Sequence, residues 1–311
     1  MAELIGYLLT LDALFTWGIA SLVYKFSLGK IESKPGLLFR LFFVSCSTFI
    51  FSLLFGTFSF LFMLSSQNLT DYLIACLISG LSVTIGDLLY FISLKKIDVS
   101  RAFPLTQLSL IFVYPFAFFM FGEELKISIL FGGLLILLSV FILSSKDKPK
   151  NTEIGSIKEN KGSEKLFLGV LLAVLSAILW GLAIVSFNQA RIISNDVFVT
   201  NFIRIFFAAI LISIVGIFQK DFYSSFTKVN RKKLKYFIYI GIAGALSLGL
   251  ADTLFYKAAE INGLVLTSTF TANTPLIQQI LSILILKEKF RKRFIIGVGL
   301  IIIGNYIILF L

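Results

Sequence analysis

Two carboxylates lie deep inside apolar stretches of this chain, and the sequence around one repeats the sequence around the other. Small residues precede both Asp87 and Asp252, and an adjacent pair of Tyr and Phe follows each of them. An ionised carboxylate in such a stretch is costly, so it usually faces the interior of a helix bundle or a water-filled cavity. Both acids are therefore candidate sites for reversible binding of a proton or a cation. The other identical positions of the two stretches are Leu81, Ser82 and Leu89, which recur as Leu246, Ser247 and Leu254.

Two arginines, Arg40 and Arg204, are the basic counterparts of these acids. Each lies within an apolar run, and each begins the same Arg-x-Phe-Phe pattern. A buried guanidinium can bind an anionic group of a ligand, or it can pair with a buried acid. Two structural alternatives are open: an Arg–Asp pair that only holds helices together, and a long side chain that reaches the membrane surface.

Aromatic side chains near these charges are candidate walls of a binding cavity. Tyr90 and Tyr256 follow the two acids by three or four residues, which places them on nearly the same face of a helix. Trp17 and Trp180 lie in the middle of their apolar runs rather than at the ends, and each precedes a glycine. We therefore expect both tryptophans in a cavity wall or in the packed core.

A polar face occurs twice beside a proline. Thr271, Asn273 and Gln278 lie around Pro275, and Gln107 lies near a proline in the corresponding earlier stretch. A proline leaves a backbone carbonyl without its helical partner, and nearby hydroxyl or amide groups can satisfy that carbonyl. A polar face beside a kink suits a substrate path, so these four residues are further candidates for substrate binding. Hydrogen bonding between neighbouring helices is the alternative explanation.

The composition defines the class of protein in which these residues work. Of the 311 residues, 58% are apolar and 14% are charged, whereas a soluble domain is nearer half apolar and about a quarter charged. Apolar runs of about 20 residues recur along the chain, and each is long enough to span a bilayer as a helix. The sequence therefore predicts an all-α polytopic membrane protein.

Several chemistries are excluded or disfavoured. The chain has no histidine, which removes imidazole bases and histidine-ligated metal sites. Cys46 and Cys76 show no metal-ligand or redox spacing, so we expect no metal and no other cofactor. No residue is assigned a catalytic role, and an integral-membrane enzyme is disfavoured. The net charge of +11 does not predict nucleic-acid binding, because the basic residues fall in short loops between apolar runs.

Ten membrane spans are predicted, with a polar linker between the fifth and the sixth. The linker, residues 146–165, separates a first five-helix repeat at 1–145 from a second at 166–311. The predicted spans are 4–27, 36–63, 71–94, 98–121, 126–145, 166–189, 196–219, 234–258, 261–286 and 293–311.

The landmarks of the two halves occur in the same order, which indicates an internal duplication. Trp17 and Trp180 come first, the two arginines follow, and the two acids come after them. Because each half has an odd number of predicted spans, the second half must enter the membrane from the opposite side. The sequence therefore predicts inverted repeats, and such repeats commonly place a substrate site near the membrane midplane at their interface.

Basic residues predict the orientation of the chain. Most of the 28 Lys and Arg residues lie in or beside the odd-numbered loops between predicted spans. By the positive-inside rule, these loops face the cytoplasm and both termini face outward. We therefore expect a multi-pass protein of the cell membrane, in contact with membrane lipid.

The order of landmarks resembles the drug/metabolite transporter superfamily, and within it the EamA group. The shared features are a Trp-Gly in the first span of each half, an Arg early in the second, and a Glu just after the fourth, at Glu124 and Glu288. Lys25, eight residues after Trp17, also fits that pattern. The resemblance implies a basket-like ten-helix fold with a central cavity, and export or exchange of small metabolites by alternating access. Many bacterial members are expected to keep their termini in the cytoplasm, contrary to the orientation predicted here.

These observations together predict a secondary active transporter of a small polar or amphiphilic metabolite, such as an amino acid. Asp87 and Asp252 are the candidate carriers of a proton or of a co- or counter-transported ion. We expect the protein to work as a monomer, with its halves rocking about a midplane site. One alternative is a flippase or antiporter for lipid-linked or sugar-phosphate substrates. A membrane scaffold or sensor that transports nothing is an alternative of another class.

Overall fold

A computed structural model gives the fold, and the structure describes residues 2–144, 156–218, 223, 231–287 and 293–310. All regular elements among these residues are helices. Within the described ranges, eight helical segments are long and apolar enough to cross a membrane. The chain therefore has the architecture of a multi-pass membrane protein, as the composition predicts.

The first half of the chain runs from α1 to α7. A short 3-10 turn at Gln107–Ser109 joins α5 to α6, and Gly122, in the left-handed conformation with φ of 65°, ends α6. The helices are α1 (Ala2–Leu28), α2 (Ser33–Phe55), α3 (Phe60–Met63), α4 (Ser66–Lys96), α5 (Val99–Thr106), α6 (Leu110–Phe121) and α7 (Ile127–Ser144).

The second half runs from α8 to α14. A π-helical segment, Ala245–Ala251, connects α10 to α11 without a break in the helical path. Gly263, with φ of 82°, then separates α11 from α12. The helices are α8 (Ser156–Ser194), α9 (Val197–Ile217), α10 (Arg231–Gly244), α11 (Asp252–Asn262), α12 (Leu264–Thr271), α13 (Thr274–Leu286) and α14 (Arg293–Phe310).

Two predicted boundaries differ from the structure. The second span was predicted to reach residue 63, but α2 ends at Phe55 and Gly56 continues in an extended conformation. The residues up to 63 form a turn and α3, and they are as apolar as a span, so hydropathy does not detect the break. The linker was predicted to reach residue 165, whereas α8 begins at Ser156. Lys and Glu residues at the start of α8 are good helix formers; the rest of the predicted linker, up to residue 155, lies outside the described residues.

The predicted fifth and ninth spans are not among the eight long apolar segments. The fifth corresponds to α7, a continuous helix of 18 residues. The ninth is divided into α12, with 8 residues, and α13, with 13 residues, so neither has the length of a full span. The total of ten spans therefore stays a prediction.

The outer surface of the helices is apolar. Ile50, Leu53 and Leu54 of α2 are exposed, as are Ile302 and Ile303 of α14. Soluble monomers rarely expose continuous apolar patches of this kind, whereas lipid tails are a suitable environment for them. Polar residues instead concentrate inside the bundle.

The halves contact each other through helices that correspond in the internal repeat. α4 packs along α8, and α1 packs along α10 and α11, so the first helix of each half lies against the third span of the other. α2 packs on α9 and α7 packs on α14, which joins equivalent helices. Contacts that come in equivalent pairs are typical of a two-fold relation. The inverted direction of the repeats across a membrane stays a prediction.

The halves also share their apolar cores. One cluster of buried residues includes Leu41 of the first half and Ala183 of the second. Another includes Val113 of the first half and Ile301 of the second. The interface between the halves is therefore a packed interior, and it surrounds the site described next.

Candidate functional site

A cavity of about 120 Å³ lies between the two halves. At roughly 30 Å³ per water molecule, it holds a few waters or a very small solute in this conformation. Both halves contribute to its wall, which is mostly apolar but contains all four of the predicted buried charges. Among the lining residues are Trp17, Tyr24, Arg40, Asp87, Tyr90, Gln107, Trp180, Arg204, Ser247, Asp252, Tyr256, Ser268 and Thr271.

In the first half, Arg40 of α2 forms an ion pair with Asp87 of α4. Nη1 of Arg40 donates to Oδ2 of Asp87, and both side chains are buried. The ring centroids of Tyr24 and Phe91 lie 4.7 Å and 5.5 Å from Cζ of Arg40. A desolvated guanidinium beside aromatic rings gains cation–π attraction in addition to its ion pair. These contacts hold the arginine in place against the acid.

In the second half, Arg204 of α9 forms the equivalent ion pair with Asp252 of α11. Nη2 of Arg204 donates to Oδ2 of Asp252. The ring centroids of Phe187 and Tyr256 lie 4.6 Å and 5.5 Å from Cζ of Arg204. These rings occupy the positions that correspond to the two rings over Arg40. The duplication therefore preserves a guanidinium between two aromatic rings and bonded to an acid.

The two arginines differ in the partner of Nε. Nε of Arg204 donates to Oδ1 of Asn201 over 3.0 Å. Nε of Arg40 is buried and has no hydrogen-bond partner in the described part of the chain. Asn201 lies three residues before its arginine, and Leu37 occupies that place before Arg40. One substitution between the halves accounts for the difference.

The two tryptophans show the same kind of difference: the indole N–H beside Asp252 has a hydrogen-bond partner, and the indole N–H beside Asp87 has none. Nε1 of Trp17 donates to Oδ1 of Asp252 in the opposite half over 3.0 Å. Nε1 of Trp180 has no partner among the described residues, although it lies close to the other acid. A Cβ atom placed on Gly86, the residue before Asp87, would be 2.9 Å from Nε1 of Trp180. The indole is therefore beside the acid without being bonded to it.

The π-helical segment Ala245–Ala251 leads directly into Asp252, whereas α4 is α-helical through the corresponding residues. Nδ2 of Asn201 donates to the carbonyl oxygens of Leu248 and Gly249, each over 3.1 Å. The amide of Asn201 thus joins the π-helical segment to the arginine of the same half. Segments of π-helix occur frequently at functional sites, and this one positions the acid of the second half.

Glycines let the helices that carry the charges approach closely. A Cβ on Gly80 of α4 would lie 2.4 Å from the carbonyl oxygen of Arg204. A Cβ on Gly244 of α10 would lie 2.4 Å from Cγ of Arg40. Neither distance is sterically possible, so each arginine lies against a glycine of the opposite half.

Most of the residues predicted from the sequence come together in this cavity, and two do not. Trp17, Arg40, Asp87, Tyr90, Gln107, Trp180, Arg204, Asp252, Tyr256 and Thr271 line it. The amide of Asn273 instead pairs with that of Asn305 on α14 through two hydrogen bonds of 2.8 Å. That contact is the interhelical bonding considered as the alternative for this polar face. Gln278 is fully buried on α13 and is not part of the cavity wall.

The sequence interpretation missed Tyr24 and Asn201, and it recognised Ser268 only as a member of the polar face beside Pro275. The hydroxyl of Tyr24 lies 2.5 Å from Oγ of Ser247 in the opposite half, and Asn201 bonds both the arginine and the π-helical segment. Tyr24 lies seven residues after Trp17, on the same helix face, and this spacing could have identified it. Asn201 and Ser268 have no polar counterpart in the first half, so the repeat gives no signal for them.

The glutamate after the fourth predicted span requires a correction. The residue that contacts the second half is Glu123, because its Oε1 and Oε2 accept the N–H groups of Leu264 and Val265 over 2.7 Å and 2.8 Å. Glu124 is exposed. The residues before Glu123 and Glu288 both have left-handed backbones, with φ of 65° at position 122 and 54° at position 287. Glu123 is therefore the residue equivalent to Glu288.

Lys25, which also belongs to the resemblance, binds the end of α4. Its Nζ donates to the carbonyl oxygens of Leu94 and Ile97, the latter over 2.8 Å. A cation at the C-terminus of a helix is stabilised by the unpaired carbonyls there. As for metal chemistry, the described residues contain no group of three or more Cys, Asp or Glu side chains that could hold an ion.

Known proteins resemble this chain in both sequence and fold. A model of the EamA-like transporter family matches residues 4–145 and 167–310. An uncharacterized transporter of Clostridium kluyveri is 27% identical over 243 residues, which cover 77% of this chain and 72% of the relative. An uncharacterized transporter of Archaeoglobus fulgidus is 25% identical over 245 residues, which cover 78% of this chain and 77% of the relative.

One solved crystal structure has a similar fold at low sequence identity. Its TM-score is 0.68 at 16% identity, and the alignment covers 97% of this chain and 95% of that chain. At this level of identity, the likeness concerns the fold alone.

Proposed function

This chain belongs to the EamA-like transporter family of the drug/metabolite transporter superfamily, and on that premise we propose that it is a secondary active transporter. The proposed substrate is a small polar or amphiphilic metabolite, such as an amino acid. The proposed cycle is export or exchange, in which the two halves alternately open the cavity to either side of the cell membrane.

One observation carries this proposal: two buried Arg–Asp pairs face the same cavity from opposite halves. Ionisable groups at membrane depth are costly, and where they face a cavity they commonly mark a substrate or ion pathway. A scaffold or sensor would have no need of a charged cavity between its halves. The position at the interface of repeats is also typical of secondary transporters.

The lining residues then receive proposed roles. Asp87 and Asp252 carry the coupling proton or ion, and Arg40 and Arg204 hold the acids or an anionic group of the substrate. The aromatic side chains of Trp17, Trp180, Tyr90 and Tyr256 form walls around the substrate, while Gln107 and Thr271 supply polar contacts. Asn273 and Gln278 are not assigned to the cavity, because their side chains lie elsewhere.

Transport by purified protein in liposomes tests the proposal. We expect uptake or exchange of labelled amino acids that depends on the protein, and we expect Asp87→Asn or Asp252→Asn to abolish it or to remove its pH dependence. Asp71→Asn is the matched control, because Asp71 is an exposed carboxylate on α4. Transport by both cavity variants at the wild-type rate, with unchanged pH dependence, would show that the acids are structural.

We also propose that the odd-numbered loops are cytoplasmic and that both termini are external. Lys30 lies in the first loop, after α1, and Asn68 lies in the first turn of α4, after the second loop; both residues are exposed. In a background without Cys46 and Cys76, a membrane-impermeant thiol reagent should label Asn68→Cys but not Lys30→Cys on intact cells. The opposite labelling would establish the orientation expected for many bacterial relatives.

A further inference from the structure

Four side chains that line the cavity each carry a buried polar atom without a hydrogen-bond partner among the described residues. These atoms are Nε of Arg40, the hydroxyl of Tyr90, Nε1 of Trp180 and Oγ of Ser268. Buried polar groups of native proteins are nearly always paired, so each exception needs an explanation. The N–H groups of Arg and Trp can only donate. The missing partner must therefore present hydrogen-bond acceptors to the cavity.

Two of these donors lie beside the same acid. Arg40 is bonded to Asp87, and the indole of Trp180 packs against Gly86, the residue before it. Ser268 reaches the same cavity from α12, in the other half of the chain. Arg40, Trp180 and Ser268 therefore come from three different helices.

The equivalent atoms at the pair Arg204–Asp252 are already hydrogen-bonded within the protein. Nε of Arg204 is bonded to Asn201, and Nε1 of Trp17 is bonded to Asp252. A ligand would have to displace these protein partners to bind there, whereas Nε of Arg40 and Nε1 of Trp180 make no hydrogen bond that a ligand would have to break. The free energy of binding therefore favours the first half.

We propose that the pair Arg40–Asp87 is the polar subsite for the substrate, and that a carboxylate or carbonyl group of the substrate accepts hydrogen bonds from Arg40, Trp180 and Ser268. The pair Arg204–Asp252 does not bind the substrate directly, and Asp252 keeps the coupling role proposed above. The lining contains as many acids as arginines. A dianionic phosphate would therefore add two unbalanced negative charges, whereas a carboxylate adds one and a zwitterionic amino acid none. This assignment rests on the proposed transport function and specifies which end of the cavity binds the ligand.

The chain contains only two tryptophans, and one lies at each pair, so fluorescence can report on the two ends separately. In the variant Trp17→Phe, all tryptophan emission comes from Trp180. The probes share one branched carbon chain and differ in head group: L-leucine, 4-methylpentanoate, 3-methylbutylamine and 3-methylbutyl phosphate. We expect the two carboxylates to change the emission of Trp180, and the amine and the phosphate to leave it unchanged.

Exchanging the residues that distinguish the halves provides the matched pair of variants. In the Trp17→Phe background, Leu37→Asn places an amide oxygen three residues before Arg40 and should occupy Nε. Because a hydrogen bond to a charged group is strong, we expect it to weaken L-leucine binding at least about tenfold. Asn201→Leu makes the reverse change beside Arg204, outside the proposed subsite, and should weaken L-leucine binding much less than Leu37→Asn does. Should Trp17→Phe fail to fold, ligand-dependent thermal stabilisation of Leu37→Asn and Asn201→Leu in the native background makes the same comparison.

The outcomes separate this assignment from the proposed function. Loss of affinity in Asn201→Leu rather than Leu37→Asn would overturn the subsite, as would a Trp180 response to the amine alone or no response to either carboxylate at millimolar concentration. If Trp180 responds but liposomes with the protein transport nothing, the subsite stands and the transport function fails. If L-leucine is transported and only Trp17, in the Trp180→Phe variant, responds to it, transport stands and the subsite is wrong.

Discussion

The two ion pairs have similar charged and aromatic surroundings, but they differ in how many of the neighbouring polar atoms are hydrogen-bonded. At the pair Arg204–Asp252, Nε of the arginine donates a hydrogen bond to Asn201, and Trp17 donates one to the acid. Around Arg40 and Asp87, the corresponding leucine offers no acceptor and the corresponding indole is unbonded. The charged and aromatic residues are thus shared between the halves, and the neutral residues next to them have diverged. The comparison indicates that a duplicated site can keep the same charged residues in both copies. Its uncharged neighbours then determine how many hydrogen-bond donors have no partner within the protein.

Removing either acid tests this comparison with the largest expected effect. Asp87→Ala and Asp252→Ala each leave a buried arginine unpaired, which costs about 3–5 kcal/mol of stability. We expect Asp252→Ala to be the more destabilising, because it also removes the shorter of the two hydrogen bonds of Trp17 Nε1 and leaves only the bond to the carbonyl oxygen of Ser247, over 3.2 Å. Thermal unfolding in detergent measures both, with Asp71→Ala as the exposed control. A larger loss of stability in Asp87→Ala would contradict the conclusion that the pair in the second half is the more completely hydrogen-bonded one.

Replacing the tryptophans isolates the hydrogen bond that only one half makes. Trp17→Phe removes a bond to a carboxylate, which is worth about 1.5–3 kcal/mol. Trp180→Phe removes no bond, so its effect should be confined to the lost ring area, which both variants share. The difference between their unfolding temperatures measures the bond itself. Equal shifts in the two variants would mean that Trp17 contributes no more than its ring.

Neutralising Glu123 tests a contact between the halves outside the cavity. Its carboxylate binds two N–H groups at the start of α12, and an anion at a helix N-terminus contributes about 0.3–1 kcal/mol. We expect Glu123→Gln to lower stability by this amount and Glu124→Gln, at an exposed position, to have no effect. A greater effect of Glu124→Gln would restore the original assignment of this glutamate.

The smallest effect is expected at the paired amides of Asn273 and Asn305. The first half has no such pair, because Leu108 occupies the position equivalent to Asn273. Hydrogen bonds between membrane helices average about 0.6 kcal/mol. In a double-mutant cycle, Asn273→Ala and Asn305→Ala should therefore show a coupling energy of this size. Simple additivity of the two effects would exclude a stabilising pair.

The shared features of the site were predictable because they occur twice. Arg40 and Asp87 are recognised with their equivalents, since a charge that recurs in an apolar run has few structural explanations. Asn201 could not be recognised this way, because its counterpart Leu37 is an ordinary core residue. Its importance depends on the distance to Arg204 and to the π-helical carbonyls, which only the folded chain defines.

Local geometry limited the other predictions. Ala245–Ala251 has the composition of an ordinary apolar helix, so nothing in its residue types indicates a π-helix. Glu123 and Glu124 are chemically identical neighbours, and only the left-handed residue at position 122 determines which one reaches α12. Asn273 lay on a correctly recognised polar face, but the face is shared between the cavity and α14.

The pairing of each arginine with an acid of its own half has a consequence for biosynthesis. Arg40 and Asp87 are 47 residues apart in the chain, and Arg204 and Asp252 are 48 apart. During synthesis, the first half can therefore neutralise its charge in the membrane before the ribosome has made any of the second. The hydrogen bond of Trp17 cannot form until Asp252, which is 235 residues further along the chain, has been synthesised. A nascent chain thus acquires its electrostatic pairs early and locally, and the last tryptophan–acid bond forms only when both halves are present to close around the cavity.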